Sequence, residues 1–442
     1  MENIKKLLND DIGVREKYGI FLSSLKLLHN VENALSYTNA VSELLPEIEK
    51  NISSFEKNKS FHASELREYV EKYEKFWNEY IKYQIWLIGD AHSCNAVKEI
   101  LDYEKVHLLG ELSQAANFAG KYDYIIACSN VSDEQLCNYE RDKVIRYDFL
   151  RYMHYGISPQ TVYLDLELNR KLEMGIEGAV TGLSYEQRGL DYSKIKRNLA
   201  CLAAPSQDLY LDYKNYVWLY DEAVNKRNQK LKYCVIGIDF YRLWYDLSKS
   251  DAKIRMLCFY NKLKCVHHLH DFNHYLIKAE EDLKVCKELM IDDYLNRDYL
   301  NNFHPELYYG EDKEQYEMTE EVFYRDSEEV KKVFHKPYPA TFQENIGILE
   351  SFLRFLQLRK IKTLVYIPPF PEIFNRFTSK EMKQKTLEVI SELRDTYEFD
   401  FLDLSEHELF TDEYFSDWCH LNSRGARAAT ELLNNYMDEI WD

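Results

Sequence analysis

Five short apolar runs in the second half of the chain constrain the fold most. They are "IEGAVTGLS" at 176–184, "NLACLAA" at 198–204, "YCVIGIDF" at 233–240, "IKTLVYIPPF" at 361–370 and "YEFDFLDLS" at 397–405. Each is long enough for one strand and too short for a helix. Between them lie stretches of helical period, notably "LYLDYKNYVWLYDEAVNK" at 209–226 and "FQENIGILESFLRFLQLRKI" at 342–361. Strands joined by crossover helices specify an α/β fold with a doubly wound, flavodoxin-like parallel sheet. Such a sheet binds its ligands at the carboxyl ends of its strands, so the residues just after each run are the candidates for chemistry.

A smaller alternation precedes it. "YQIWLIG", "KVHLLGEL", "YDYIIACS" and "KVIRYDFL" read as strands and "NAVKEIL" as a helix, all within about 70 residues of Tyr83. This predicts a small Rossmann-like domain over 81–155. Residues 1–80 repeat apolar positions at spacings of three and four and read as a helical region. The remainder, 156–442, forms the larger domain, with an insertion at about 245–341 between its third and fourth strands. At 442 residues, the chain is too long for one ordinary core.

Composition excludes several function classes. The net charge is −19 and Lys and Arg nowhere cluster, so nucleic acid is not an expected partner. No apolar run approaches the roughly 18–20 residues of a membrane span. The charged start "MENIKKLLNDD" lacks a signal-peptide core. Nine cysteines, an odd number with no CxxC pair, read as reduced thiols, and the expected location is cytoplasmic. Thirty-six tyrosines supply rigid area with a polar tip, suited to a core or a sugar-facing cleft, and AT-rich codon usage accounts for their number more simply.

"AVTGLSYEQRGLD" at 179–191 ends its strand on Gly182-Leu183-Ser184. A glycine there allows a tight turn, and Ser184 then opens a helix whose first N–H groups can face an oxyanion. Gly-x-Ser alone fits an ordinary turn serine as well. The C-terminal text "EYFSDWCHLNSRGARAATELL" sharpens the reading. Asp417 and His420 stand three apart before an amphipathic helix. The carboxylate can hold one imidazole nitrogen and leave the other as a base. Asn422 and Ser423 can cap that helix.

In these residues the chain resembles the SGNH, or GDSL-like, hydrolases over roughly 170–442. Their nucleophile is the third residue of Gly-x-Ser after the first strand, matching Ser184. Their last block, Asp-x-x-His followed by Leu-Asn and a glycine, matches Asp417, His420, Leu421, Asn422 and Gly425. "LVYIPPF" at 364–370 is similar to text before that block. The resemblance implies a serine esterase or O-acyltransferase with a Ser184–His420–Asp417 triad and no cofactor or metal. Its substrate would be a small-molecule or glycan ester, such as an ester of a bacterial surface glycan or its precursor. A catalytically impaired module that binds a glycan, or a partner in polysaccharide biosynthesis, is the alternative. The resemblance further implies oxyanion donors after the second and third strands. Those positions hold Ser206, Gln207 and Asp239, where the family has glycine and asparagine. Tyr185, Tyr241 and Arg242 are candidate cleft residues, with Trp244 close by.

Three other stretches carry weaker signals. Gly89-Asp90-Ala91-His92-Ser93 follows the first small strand, but Ala91 stands where a hydroxyl is needed; it reads as a ligand-binding or structural turn. His270 and His274 in "HHLHDFNH" have i, i+4 spacing but no further ligand in the text, and no metal is expected. The acidic run at 308–329 reads as solvated surface or loop.

Overall fold

A computed structural model describes residues 82–112, 122–129, 131–155, 158–291, 316–335 and 339–441. The expected helical region 1–80 lies outside them. The described residues divide into two compact units, one of residues 82–150 and 277–291, the other of the rest. The protein is α/β, with one all-parallel sheet in each unit. Among the described residues no helix is long and apolar enough to cross a membrane.

In the first unit, β1 (Tyr83–Ile88) pairs with β2 (Val106–Leu112) on one side and β3 (Tyr124–Ala127) on the other; β4 (Val144–Ile145) pairs with β3. Helix α1 (Ala91–Ile100) follows β1 directly. Asp90 caps it, accepting from Ser93 N–H at 2.9 Å and Ser93 Oγ at 2.8 Å. The carboxylate thus occupies the place an anionic ligand would take, and the Ser93 N–H holds its pKa down to about 2. That favours a structural turn over a ligand site.

"KVIRYDFL" is not a full strand. Only Val144–Ile145 pair, and helix α2 (Tyr147–Tyr155) begins two residues later. Arg146 is the cause. Its guanidinium forks onto Asp148 at 2.9 and 2.7 Å, and its N–H donates to Asp282 at 2.8 Å. Lys278 donates to Val144 O at 2.6 Å. These bonds carry 277–291 into the first unit, although the sequence places them in the insertion of the larger domain.

The second unit runs α3 (Pro159–Met174), β5 (Gly178–Thr181), α4 (Ser184–Gly189), β6 (Leu199–Cys201), α5 (Leu209–Tyr220) and β7 (Tyr233–Gly237). Then come α6 (Leu257–Leu263), α7 (Leu269–Leu289), α8 (Glu320–Phe334), α9 (Pro339–Leu358), β8 (Lys362–Ile367), α10 (Glu372–Phe377), α11 (Lys380–Arg394), β9 (Asp400–Asp403) and α12 (Ser423–Trp441). The last residues of α7 lie in the first unit. Helix α8 replaces the loop expected over the second part of 308–329, because Val330 and Phe334 recur one turn apart and are buried.

The sheet order is β6-β5-β7-β8-β9, so the second strand in sequence lies outside the first. This is the flavodoxin-type order, whose switch point falls between β5 and β7. Alternate residues serve opposite faces. Ala179, Cys234, Ile236, Val365 and Ile367 pack with Tyr216, Phe352 and Ile390 of α5, α9 and α11. Val180, Val235, Leu364 and Tyr366 pack with Ala429, Leu433, Met437 and Trp441 of α12. Burial on both faces explains the near-continuous apolar strand text.

Candidate active site

Ser184 is the first residue of α4, at the carboxyl end of β5. The turn needs glycine at 182, where φ is +145°. It also needs Glu186. That carboxyl accepts the Leu183 N–H at 2.7 Å and is 1% exposed. A Cβ at Gly182 or at Gly237 would overlap it. The two glycines of neighbouring strands therefore leave room for one acid directly under the nucleophile's turn.

Asp417 and His420 sit on a short hairpin closed by the Phe415–Leu421 bridge. Asp417 Oδ1 accepts the N–H groups of Cys419 at 2.9 Å and His420 at 2.8 Å. Asn422 anchors the hairpin to α12, accepting from Gly425 N–H at 2.9 Å and donating to Glu413 O at 2.7 Å. The three side chains meet. His420 Nε2 lies 2.8 Å from Ser184 Oγ, and His420 Nδ1 lies 2.8 Å from Asp417 Oδ2. Burial by itself raises the Asp417 pKa. The hydrogen bond and charge of His420 outweigh it and hold the carboxyl well below its usual range. Asp417 thus stays ionised beside the imidazole.

The structure places the other sequence candidates differently. Gln207 is fully buried; its N–H donates to Ala204 O at 3.1 Å and its amide to Asp212 and Leu202 O. It has no donor left for an oxyanion. Asp239 is 1% exposed and its Oδ1 accepts the Tyr241 N–H at 2.9 Å, so that oxygen serves its own turn. Ser206 differs. Its φ is +63°, its Oγ accepts from Arg255 at 2.7 Å and its carbonyl from Tyr245 at 3.0 Å. Among the described residues its N–H has no hydrogen-bond acceptor. The N–H groups of Ser184 and Ser206 remain as donors.

Arg242 does not line a cleft. It is wholly buried, with its guanidinium on Asp212 and on Gln207 O. Asp212 also accepts the Gly182 N–H at 3.1 Å. Tyr185, 6% exposed, packs its ring 5.5 Å from that of His420, and its hydroxyl lies 3.3 Å from that of Tyr241. Trp244 is buried, stacked on Phe342.

Sequence reading misses Glu186 and Asp212. Glu186 carries a signal, because a glutamate at the third position of a helix commonly binds back to the cap N–H. Asp212 carries only an acid among apolar helix residues. Burial pushes the Glu186 carboxyl up to about 8 and that of Asp239 to about 7, with Arg242 pulling both back. The sign follows from proton uptake. A carboxyl raised in the folded state stabilises it fully below the unfolded value, and that stability is lost as pH rises. For Glu186 the window is 4.5 to about 8. Unfolding by urea at about pH 5 and about pH 8 should show the wild type losing roughly 3 kcal/mol more than Glu186→Gln. Equal losses in both proteins exclude a protonated Glu186.

Comparison of the sequence with known protein families returns no match, and comparison with curated proteins returns none.

Proposed function

We propose that the second unit is an SGNH-like serine esterase or O-acyltransferase. The continuous Ser184–His420–Asp417 hydrogen-bond chain, drawn from positions 236 residues apart, carries this reading. A turn serine has no need of an imidazole whose far nitrogen is held by an ionised carboxylate. In the reaction, Ser184 Oγ attacks an ester carbonyl while His420 Nε2 takes its proton. The N–H groups of Ser184 and Ser206, which have no acceptor among the described residues, are the donors this reading assigns to the developing oxyanion. The tetrahedral adduct collapses, His420 returns the proton to the leaving alcohol, and Ser184 carries the acyl group. Water or a sugar hydroxyl, deprotonated by the same imidazole, then releases it. A glycan as the alcohol follows from the family resemblance alone.

A second reading has one observation in its favour. Asp239 stands where a third oxyanion donor belongs, and its carboxyl is engaged with the Tyr241 N–H. A module that has lost turnover and only binds a glycan or a polysaccharide-assembly partner would tolerate that. Incubation with a fluorophosphonate probe separates the two. The esterase reading expects one phosphonyl group on the peptide bearing Ser184 and none on Ser184→Ala. An unmodified wild-type peptide removes it and leaves the binding module.

A further inference from the structure

Away from the triad, four parts of the second unit converge on a pair of imidazoles. Asp208 caps α5, Asp246 and Ser248 follow β7, His267 and His268 precede α7, and Glu344 lies on α9. The His267 ring is 3% exposed and stacks between Tyr210, at 4.6 Å, and His268, at 4.2 Å.

The nitrogens sort by side. Both Nδ1 atoms face fixed oxygens: His267 Nδ1 lies 3.1 Å from Asp208 and 3.3 Å from Asp246, and His268 Nδ1 lies 2.8 Å from Ser248 Oγ. Both Nε2 atoms face a single oxygen, Glu344 Oε1, at 3.3 and 3.1 Å. We infer that His267, His268 and Glu344 form a site for one divalent transition metal of the zinc type, backed by Asp208, Asp246 and Ser248.

Three features support this. A tetrahedral centre with bonds near 2.0–2.1 Å separates its ligand atoms by about 3.3 Å, the spacing of these Nε2–Oε1 pairs. Ligating histidines normally give their other N–H to a carboxylate or similar acceptor, which fixes the tautomer and leaves Nε2 as a lone pair. Charge points the same way. Among the described residues three carboxylates, Asp208, Asp246 and Glu344, face the two rings, and Lys249 Nζ lies 2.9 Å from Asp246.

His268 adds backbone evidence. Its φ is +52°, a conformation costly for a residue with a Cβ and kept where the surroundings over-determine it. Binding requires the two stacked rings to splay at their Nε2 edges. His268, with 27% of its side chain exposed, has room to do so. Solvent reaches Glu344, 38% exposed, so water can complete the coordination. The pair at i, i+4, His270 and His274, is exposed and outside this cluster. An ion here would tie the segment after β7 to the start of α5, next to Ser206, whether or not Ser184 is active.

The test uses the full chain, stripped with a chelator and titrated with zinc at micromolar free concentration. Bound metal is counted by mass spectrometry after gel filtration. The wild type should retain one equivalent and gain thermal stability with zinc. Glu344→Gln, at a solvent-exposed position, should weaken binding at least tenfold, Asp246→Asn about 10–100-fold, and His268→Ala/Glu344→Gln should retain none. Cys419→Ser should bind as the wild type does, because the other cluster of potential donors, Asp417, Cys419 and His420, is not the site. Cobalt in place of zinc should show tetrahedral bands without thiolate charge transfer. No retained zinc in the wild type, or equal retention in the double variant, overturns the inference.

Discussion

Asp417→Asn is expected to lower kcat/KM toward a small activated acyl ester by about 10³–10⁴, nearly as much as His420→Ala. The reason is local. Asp417 Oδ1 is fixed by the N–H groups of Cys419 and His420. The asparagine must present its own oxygen there, which puts its amide nitrogen where Oδ2 now lies, 2.8 Å from His420 Nδ1. Donor would then face donor. The imidazole escapes by moving its proton to Nε2, and in that tautomer it cannot take the Ser184 proton. Because the hairpin contacts survive, the variant should still fold, with some loss of stability at neutral pH as the favourable pairing of ionised Asp417 with His420 is removed, and it should still accept the fluorophosphonate, only slowly. Initial rates with an acetyl ester, measured beside thermal melts, make the comparison. A variant keeping more than about a tenth of the wild-type rate removes the triad from the chemistry.

The strands were legible because parallel strands buried on both faces read as unbroken apolar text. All five runs of the larger sheet contain an observed strand, though each strand is shorter than its run. Ser184, Asp417 and His420 were legible because each sits at a chain punctuation, a glycine turn or a helix start. What failed was long-range pairing. "KVIRYDFL" has strand text, but after two paired residues the Arg146 N–H goes to Asp282, 136 positions away, and α2 begins. Arg242 follows β7, where ligand-facing residues belong, and nothing in sequence announces that its partner Asp212 lies on α5. Among the histidines, periodicity singles out only the spacing of His270 and His274, whereas the clustered rings belong to two successive residues before α7, met by acids 59 and 77 positions away.

The same hidden pairing gives the largest expected effect on stability. Arg242 lies among three buried carboxyls, Glu186, Asp212 and Asp239, and its guanidinium acts on all three. Asp212 spends its other oxygen on the Gly182 N–H, so the pair also holds the turn that presents Ser184. Arg242→Met should cost about 3–5 kcal/mol, because it strands the Asp212 charge in the core. Adding Asp212→Asn removes that charge and keeps an acceptor for Gly182. The double variant should therefore be more stable than Arg242→Met alone by at least about 1 kcal/mol, a coupling no pair of independent sites shows. The single variant also loses the pull that lowers the pKa values of Glu186 and Asp239. Both then stay protonated to higher pH, and the fall in stability with rising pH extends further into the alkaline range. Urea unfolding of the wild type, the single variants and the double variant, at two pH values, tests both consequences. Additive losses, or a cost below about 1 kcal/mol for Arg242→Met, would mean that the carboxyls under the nucleophile are held by something other than this guanidinium.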